Sequence, residues 1–348
     1  MVAKIENTAA RRYSVDSARF PDGEYTFRIA AGLSPVDQDT GFDIEDYVVK
    51  LQFDSDPGAS LYQSLRVKLG YTDQVSNETY LGLTDADFAA DPYQRYAGSA
   101  LDVFNGEHEQ YQATYVIESA DNWRGEVTAY RNDFARDWYK LGSVGGVGIT
   151  DILDDPTAFA SEFAWVTGSD SPDGALVLRH NNREYYSRGI QGTLQFDVAL
   201  GDAAVALTTG FRLHDDEEDR LQRDDGYRME DSVLVLTSAG APGSSSNRVS
   251  SAEARALFIA SEIRYRDWIL TPGIRYEDID LKRLDFSTAD PDRSEGPAQV
   301  RDGSESVLIP GMGALYRLNE RWRLLGGVHK GFSPGAPGLG LAAVQQAL

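Results

Sequence analysis

Apolar and polar residues alternate along most of this chain, in stretches of roughly ten residues that match the length a tilted strand needs to cross hydrocarbon. In the segment 61–71, Leu65, Val67 and Leu69 fall on one side of the chain, and polar residues fall on the other. A period of two with one polar side is typical of a half-buried β-strand. The alternation predicts about eleven strands, near 24–31, 43–53, 61–72, 108–118, 123–133, 187–199, 203–214, 255–265, 268–279, 305–317 and 322–332.

The connections between these strands are of two kinds. Short turns are predicted near 54–60, 120–122, 200–203, 266–267 and 319–321. Long segments rich in Asp, Gly, Ser and Pro occupy 72–107, 134–185, 215–254 and 281–304. Short turns at one end, long loops at the other and alternating strands between them are typical of an outer-membrane barrel wall. We therefore predict an all-β fold, an antiparallel transmembrane β-barrel with short periplasmic turns and long extracellular loops.

Three tryptophans support this prediction. Trp123, Trp268 and Trp322 each follow a short turn and belong to the apolar side of their strands. Tryptophan favours the membrane interface, where its ring contacts apolar groups and its N–H stays hydrated. We expect these residues to form an aromatic girdle at the short-turn edge; the alternative is that they are unrelated core residues of a soluble sandwich.

Composition excludes several function classes. The 348 residues include no Cys, which excludes a disulfide scaffold and any thiolate metal site. The net charge of −22 argues against a nucleic-acid partner, because nucleic acids are bound by basic surfaces. No apolar run is long enough for a transmembrane helix. Residues 1–12 lack the apolar segment of a signal peptide, so we expect the chain to be part of a longer protein.

No catalytic or cofactor-binding motif is found. The acidic run 215–219 lacks the spacing of an EF-hand loop, and the four His do not follow a zinc-protease pattern. The glycines of 142–148 are not followed by the Lys of a phosphate-binding loop, and no Gly-x-Ser-x-Gly elbow occurs. We therefore interpret the acidic run as a solvated segment. We expect no enzyme activity, no cofactor and no resident metal.

A set of motifs resembles the TonB-dependent outer-membrane receptors, in the branch that includes ferric-citrate receptors. These motifs are NETYLGLTDADF at 77–88, DPYQRY at 91–96, YRNDF at 130–134, WYKL at 138–141, NNREYY at 181–186, HDDEEDR at 214–220, PGIRYE at 272–277, PGMGALY at 310–316 and GVHKGFSP at 327–334. Their order and spacing carry the resemblance over nearly all of residues 42–338.

The resemblance implies a receptor in the cell outer membrane that takes up a ferric chelate, with outer-membrane lipid around it and TonB as its energy-coupling partner. Members of the family have a barrel of about 22 strands around an N-terminal plug. Neither a plug nor a TonB box is found here. We therefore expect residues 1–348 to form a partial barrel, with an irregular tail at 335–348. We do not expect this chain alone to transport actively, because TonB pulls on the plug.

Charged residues occur on the polar sides of the strands. The cations are Lys50, Arg66, Lys68, Arg124, Arg212, Arg264 and Arg275, and the acids are Glu118, Glu126, Glu262 and Glu277. Most of these cations are expected to pair with the acids or with a plug. Arg212 and Arg275 fall nearer the predicted loop ends, so we predict that they bind an anionic metal chelate through charge-assisted hydrogen bonds.

Two other functions remain open at this stage. One is a passive, porin-like outer-membrane channel, which would have an open lumen. The other is a soluble all-β binding protein, which would need a second sheet to cover the apolar sides of the strands.

Overall fold

The computed structural model describes residues 2–5, 11–14, 26–27, 41–120 and 122–335. Strands β1, β2 and β3 form a small separate sheet and comprise Val2–Ile5, Arg11–Ser14 and Thr26–Phe27. The main sheet contains β4 Phe42–Asp54, β5 Leu61–Ser76, β6 Val103–Ser119, β7 Trp123–Val144, β8 Val147–Gly148, β9 Leu176–His180, β10 Arg183–Leu200, β11 Ala203–Glu230, β12 Val233–Ser238, β13 Ser246–Tyr265, β14 Trp268–Asp285, β15 Gln299–Arg317 and β16 Arg323–His329. The helices are α1 Asp85–Ala90, α2 Ile149–Asp154 and α3 Ala160–Thr167, with a 3-10 turn at Ala97–Ser99.

The long strands of the main sheet pair in the order β16-β15-β14-β13-β11-β10-β7-β6-β5-β4, and every pair is antiparallel. This next-to-next order confirms the ten predicted strands from 43–53 to 322–332. The predicted wall strand near 24–31 is wrong in its described part, because Thr26–Phe27 pairs with β1 in the small sheet. The rest of that segment lies outside the described residues, as do residues 336–348 of the predicted tail. No described helix is long and apolar enough to cross a membrane.

The pairing register separates the main sheet into two faces. We call residues paired directly across successive strands a row, and the side chains of one row lie on one face. Trp123, Phe196 and Leu207 belong to one row of the apolar face. Thr128, Gln191 and Arg212 belong to one row of the polar face. The rows place Leu65, Phe196, Leu207, Ile263 and Leu270 on the apolar face and Arg66, Gln195, Arg212 and Arg264 on the polar face, as the alternation predicts.

Aromatic residues mark both borders of the apolar face. Trp123 and Trp268 begin β7 and β14, and Trp322 directly precedes β16, so all three lie at the short-turn edge, as predicted. The rings of Trp268 and Tyr316 pack 4.6 Å apart there. At the opposite border, Tyr47 pairs directly with Tyr71. Aromatic rows at both borders are typical of a wall that spans a bilayer.

The long polar segments are more ordered than the sequence predicts. β7 continues to Val144 and β11 to Glu230, well beyond the predicted ends near 133 and 214. The acidic run 215–219 is therefore part of β11 and not of a long loop, and its side chains remain partly exposed. Its side chains alternate between the faces, with Asp216 and Glu218 on the polar one. Both sides of the strand are polar here, so the alternation of apolar and polar residues disappears.

The outer ends of the strands carry a packed cap, which we define as α1–α3, the 3-10 turn, β8, β9, β12 and the ends of β7 and β11. Its core contains Leu141, Leu176, Leu178, Val166 and Met229, all of them fully buried. These residues come from segments predicted as loops. Burial of each such side chain stabilises the fold by about 1.5–3 kcal/mol. The cap fixes the outer ends of the strands that carry the site described next.

Candidate functional site

A groove of about 770 Å³ lies over the polar face, near the ends of the strands that join the long connections. Two adjacent rows form its floor. One row contains His108, Phe134, Tyr185, Glu218 and Ser250, and the other contains Asn132, Ser187, Asp216, Ala252 and Leu281. This volume is in the range of pockets that bind small molecules.

Aromatic rings line one half of the groove. Phe134 packs edge-on against His108 at 5.8 Å and stacks on Tyr185 at 5.9 Å. The guanidinium of Arg136 lies 5.9 Å from the centre of the Tyr185 ring. Because these residues project from neighbouring strands, their order follows directly from the pairing of β6, β7 and β10.

Four arginines border the groove in the next row outward. Arg136, Arg183, Arg220 and Arg248 are paired in succession across β7, β10, β11 and β13, and we call them the arginine row. Two more arginines continue the floor row that contains Ser250. Ser250 pairs with Arg283, and Arg283 pairs with Arg301. The two rows thus bring six guanidinium groups together on one part of the polar face.

Two carboxylates neutralise part of this charge. Glu218 accepts a contact from Arg183 at 3.2 Å and a very short one from Arg220. Asp285 pairs with Arg283 at 2.7 Å and with Arg301 at 3.8 Å. Among the described residues, Arg136 and Arg248 form no ion pair. The border of the groove is therefore rich in arginine, whereas its lining contains the acids Asp216, Glu217 and Glu218.

Arg248 is the least satisfied of these residues. Its Nε is buried and has no hydrogen-bond partner among the described residues. Burial lowers the pKa of the Arg248 guanidinium, and the charges of Arg220 and Arg283 lower it further, whereas Glu218 and Asp285 act in the opposite direction. A partly buried cation among like charges is stabilised by an anion, and planar guanidinium groups bind carboxylate or phosphate bidentately. An oxyanion at the arginine row would meet groups of matching charge and geometry.

The structure places the two predicted ligand residues away from this groove. Arg212 pairs with Gln191 and Ala256 on the polar face, closer to the short-turn edge, and donates to Tyr130 Oη at 3.2 Å. Arg275 lies still closer to that edge and donates to Glu277 on its own strand. Their predicted position near the strand ends is wrong, because β11 and β14 continue to Glu230 and Asp285. Their role in binding stays a prediction.

Other polar-face cations mostly pair with acids, as predicted. Arg66 and Arg124 both contact Glu126, at 3.5 and 3.3 Å, and Arg264 contacts Glu262 at 2.5 Å. Lys68 donates to Gln110 Oε1 at 2.9 Å. No group of three or more His, Asp or Glu within the described ranges is arranged to hold a metal ion.

Sequence reasoning missed the arginine row. Each of its members lies in a segment predicted as a loop, far in sequence from the others. The sequence did contain one signal. Arg220 is an even number of residues from Arg212, so both side chains lie on the polar face if the strand continues past residue 214. Only the pairing register shows that the four arginines are neighbours.

Comparison with known proteins gives consistent matches. The family model described as "TonB dependent receptor-like, beta-barrel" matches residues 51–343. The fold is similar to that of the unliganded ferric citrate transporter FecA, with a TM-score of 0.52 and 16% identity, over 87% of this chain and 45% of that one. It is also similar to the open form of the ferric-catecholate import receptor Fiu from E. coli K12, with a TM-score of 0.56 and 13% identity, over 84% of this chain and 48% of that one.

A third solved structure, the siderophore receptor PiuA from Acinetobacter baumannii, has a TM-score of 0.57 and 11% identity, over 81% of this chain and 41% of that one. At these identities the structural matches show the fold alone. The chain spans less than half the length of each of these three proteins.

Proposed function

Because this chain belongs to the TonB-dependent receptor family of β-barrels, we propose that it forms part of the wall of an outer-membrane receptor that takes up an anionic ferric chelate. In this proposal the apolar face contacts lipid, the polar face lines the lumen, and the long connections with the cap face the outside of the cell. The groove and the arginine row then lie where an external ligand arrives.

The two faces of the sheet support the membrane location. Rows of the apolar face are apolar across several strands. One of them consists of Phe53, Leu65, Tyr115 and Val127 on four neighbouring strands. Many of these side chains are exposed in the isolated sheet, among them Phe53 and Leu65. A large exposed apolar surface is unfavourable in water and indicates a surface that meets lipid or protein. Strand pairing satisfies the backbone polar groups between neighbouring strands, as a lipid environment requires.

The observation that carries the ligand part of the proposal is the arginine row. A chelate that wraps iron in carboxylates or catecholates keeps a net negative charge, and six guanidinium groups partnered by two carboxylates give a complementary potential. Complementary charge also steers a ligand to its site. The names of the similar solved structures, a ferric citrate transporter and a ferric-catecholate import receptor, agree with this class.

Membership of the family supports a proposal for energy coupling. We propose that TonB acts on the receptor through a plug of the family type, which packs against the polar face near the short turns. Ala254 and Ala256 lie in successive polar-face rows of β13, and Ala260 lies closer to the short turns, on the other side of Phe258.

The proposal is tested by uptake of radiolabelled iron. A protein that carries this barrel is expressed in iron-limited cells without their own ferric-chelate receptors, with and without TonB. Ferric citrate and ferric 2,3-dihydroxybenzoate serve as anionic chelates, and ferric tris(acetohydroxamate) serves as the neutral control. We expect TonB-dependent uptake from at least one anionic chelate and none from the neutral one. Uptake that is independent of TonB, or that prefers the neutral complex, would refute the proposal.

A further inference from the structure

His214 lies at the centre of a hydrogen-bond network on the polar face. Tyr130 Oη is 2.7 Å from His214 Nδ1, and Arg212 Nη2 is 3.2 Å from the same nitrogen. The Nε of Arg212 also donates to Tyr130 Oη, at 3.2 Å. At the other edge of the ring, Asp216 Oδ2 is 3.0 Å from His214 Nε2. Both ring nitrogens of this histidine therefore have protein partners.

The donors and acceptors of this network fix the protonation of the ring. A guanidinium only donates hydrogen bonds, and an ionised carboxylate only accepts them. His214 Nδ1 therefore accepts from Arg212, and His214 Nε2 donates to Asp216. Tyr130 Oη accepts from Arg212, which leaves its own proton for His214 Nδ1. The network thus assigns His214 a neutral imidazole with its proton on Nε2.

A second proton on the ring breaks one contact of the network. A proton on Nδ1 leaves the bond to Asp216 in place, and the Tyr130 hydroxyl turns to accept from Nδ1, because a hydroxyl both donates and accepts. Arg212 has no such choice. Two N–H donors and two positive charges would then face each other, so the end of the Arg212 guanidinium is released from His214. The two protonation states therefore differ in the freedom of Arg212.

The two charged neighbours of His214 act in opposite directions. On the adjacent strands His214 is paired with Gly189 and Ala254, so β10 and β13 place small, uncharged residues opposite the ring. The contact from β7 is the Tyr130 hydroxyl. A carboxylate such as that of Asp216 favours the imidazolium, and a cation such as Arg212 disfavours it. A further charge beside Arg212 therefore changes the balance between the two states.

Arg212 is a cation without a counter-ion. It forms no ion pair in the part of the chain that the structure describes, and its two contacts are a hydroxyl and a neutral ring. A guanidinium has five N–H donors, and these contacts leave several of them free. Arg212 and His214 are both partly exposed on the polar face. An oxyanion bound here would gain charge-assisted hydrogen bonds from the remaining donors.

We propose that Arg212 and His214 form a proton-coupled site for an oxyanion, which is a sulfate, phosphate or carboxylate group. The anion binds the Arg212 guanidinium, and His214 takes up one proton from solvent at Nδ1 as the anion binds. The negative charge offsets the repulsion between the two cations. By linkage, protonation of His214 strengthens binding of the anion by the same factor.

This site goes beyond the proposed function, because it is separate from the arginine row. Arg220 follows Arg212 by eight residues on β11, which places the two sites roughly 26 Å apart along the strand. An anion that moves from the arginine row towards the short turns along this face meets Arg212 and His214 on the way. The proton coupling depends on neither the arginine row nor the groove beside it.

The test observes His214 directly. The chain contains four His, so isotope labelling of the histidine ring nitrogens gives few signals, and His214→Gln assigns those of His214. The full chain is studied in detergent, with sulfate as the probe because its charge is constant over the range in which histidine titrates. At about pH 8, above the ordinary range for histidine, we expect a neutral ring with its proton on Nε2. A neutral ring protonated on Nδ1 would overturn the assignment.

Sulfate should increase the doubly protonated fraction of His214. The comparison is made at about pH 6.5, the ordinary midpoint for histidine, against chloride of equal ionic strength. The affinity for sulfate, read from the His214 signals, should be at least about fivefold higher at about pH 5.5 than at about pH 8, which is the lower end of typical coupling between two sites. Reading the affinity at His214 excludes sulfate bound at the arginine row.

Three variants separate the parts of the site. Arg212→Gln should remove the response of His214 to sulfate. Arg264→Gln is the matched control and should keep the response, because Arg264 lies on the same face but is paired with Glu262. Asp216→Asn should lower the doubly protonated fraction of His214 with and without sulfate, because the carboxylate that favours the imidazolium is lost.

An unchanged protonation of His214 in sulfate would overturn the inference, and so would a response that persists in Arg212→Gln. These outcomes are distinct from those of the uptake experiment, since neither iron nor TonB is involved. If the coupling is absent but ferric chelates are taken up through TonB, the inference fails and the proposed function stands. If the coupling is present but no iron is taken up, the site stands and the proposed function fails.

Discussion

Arg220 and Arg248 are paired directly across β11 and β13, so that two arginines are neighbours on the polar face. Like charges directly opposite each other in a sheet are destabilising, by up to about 1 kcal/mol. Glu218 forms an ion pair with Arg220, whereas Arg248 is within the electrostatic influence of Glu218 and Asp285 but its Nε has no hydrogen-bond partner among the described residues. A ligand anion bound beside Arg220 and Arg248 would offset this repulsion.

The assignment of the two faces predicts very different effects at neighbouring positions. Leu207 lies on the apolar face, in the row of Trp123 and Phe196, and Thr208 lies on the polar face. We expect Leu207→Arg to lower the free energy of unfolding in phospholipid vesicles by about 2–4 kcal/mol, because a guanidinium is then held in hydrocarbon. Thr208→Arg should have little effect. Equal losses at the two positions, measured by urea titration of the full receptor, would show that the faces are assigned wrongly.

Gly189 allows a close approach that a larger residue would block. A Cβ at this position would lie 2.5 Å from Leu213 O and 2.6 Å from Tyr130 Oη, so the ring of Tyr130 crosses the strand over Gly189. There Tyr130 Oη is 2.7 Å from His214 Nδ1. We expect Gly189→Ala to displace Tyr130 and to lower the free energy of unfolding by about 1–3 kcal/mol.

Gly303 provides the control for this prediction, because a Cβ there would meet nothing within 4 Å. Gly303→Ala should leave the free energy of unfolding nearly unchanged. If Gly189→Ala is equally mild, Tyr130 does not depend on the missing side chain for its position.

The stability of the cap should depend on pH because of Asp102. This carboxylate is only 3% exposed and accepts hydrogen bonds from Thr79 Oγ1 at 2.7 Å and from the backbone N–H of Leu141 at 2.9 Å. Burial raises the pKa of Asp102 to about 6, despite these hydrogen bonds and the charges of Arg95 and Lys140. The folded cap therefore binds this proton more strongly than the unfolded chain does, whose Asp has the ordinary pKa of 3.8.

Proton linkage gives the direction in which the stability of the cap changes with pH. The stabilisation from protonated Asp102 is fully present below about pH 4, is lost as the pH rises to about 6, and does not change further above that value. Hydrogen exchange of the cap amides, corrected for the intrinsic rate, should thus show decreasing protection over this interval. Asp102→Asn should remove the dependence and stabilise the cap at pH 7, while the exposed Asp85→Asn should not. An unchanged profile in Asp102→Asn would assign the effect to another group.

The wall of the fold was predictable from the sequence, and the outer parts were not. Period-two alternation identifies β14 from Trp268 onward because one of its sides meets an apolar environment. The same signal fails beyond residue 214 of β11, where Asp216 and Asp219 leave both sides polar. The cap core was missed because Leu176, Leu178 and Met229 lie in short apolar runs within segments dominated by polar residues.

The arginines that gather on the polar face are not the two that the sequence singled out. An anion site formed by lumen-facing arginines was expected at Arg212 and Arg275, whereas the structure concentrates arginines in the rows of Arg220 and Arg283. Register between strands is set by turn lengths and by the buried or lipid-facing pattern. The residues that neighbour an arginine on the adjacent strands therefore cannot be identified until the pairing register is known.

The measurement that tests the central claim most directly is the affinity of the chain for an anionic ferric chelate before and after the change Arg248→Gln. The chelate is the one that binds most tightly among ferric citrate and ferric 2,3-dihydroxybenzoate. The matched control is Arg255→Gln, on the same strand but on the apolar face, where Arg255 lies 3.8 Å from Asp278. Arg248→Gln removes one charge-assisted hydrogen bond, which is worth on the order of 1.5–3 kcal/mol of binding free energy, so its dissociation constant should rise at least tenfold. The dissociation constant of Arg255→Gln should change by no more than about twofold. Equal affinities of the two variants, with both proteins folded, would contradict the assignment of the arginine row as the ligand site.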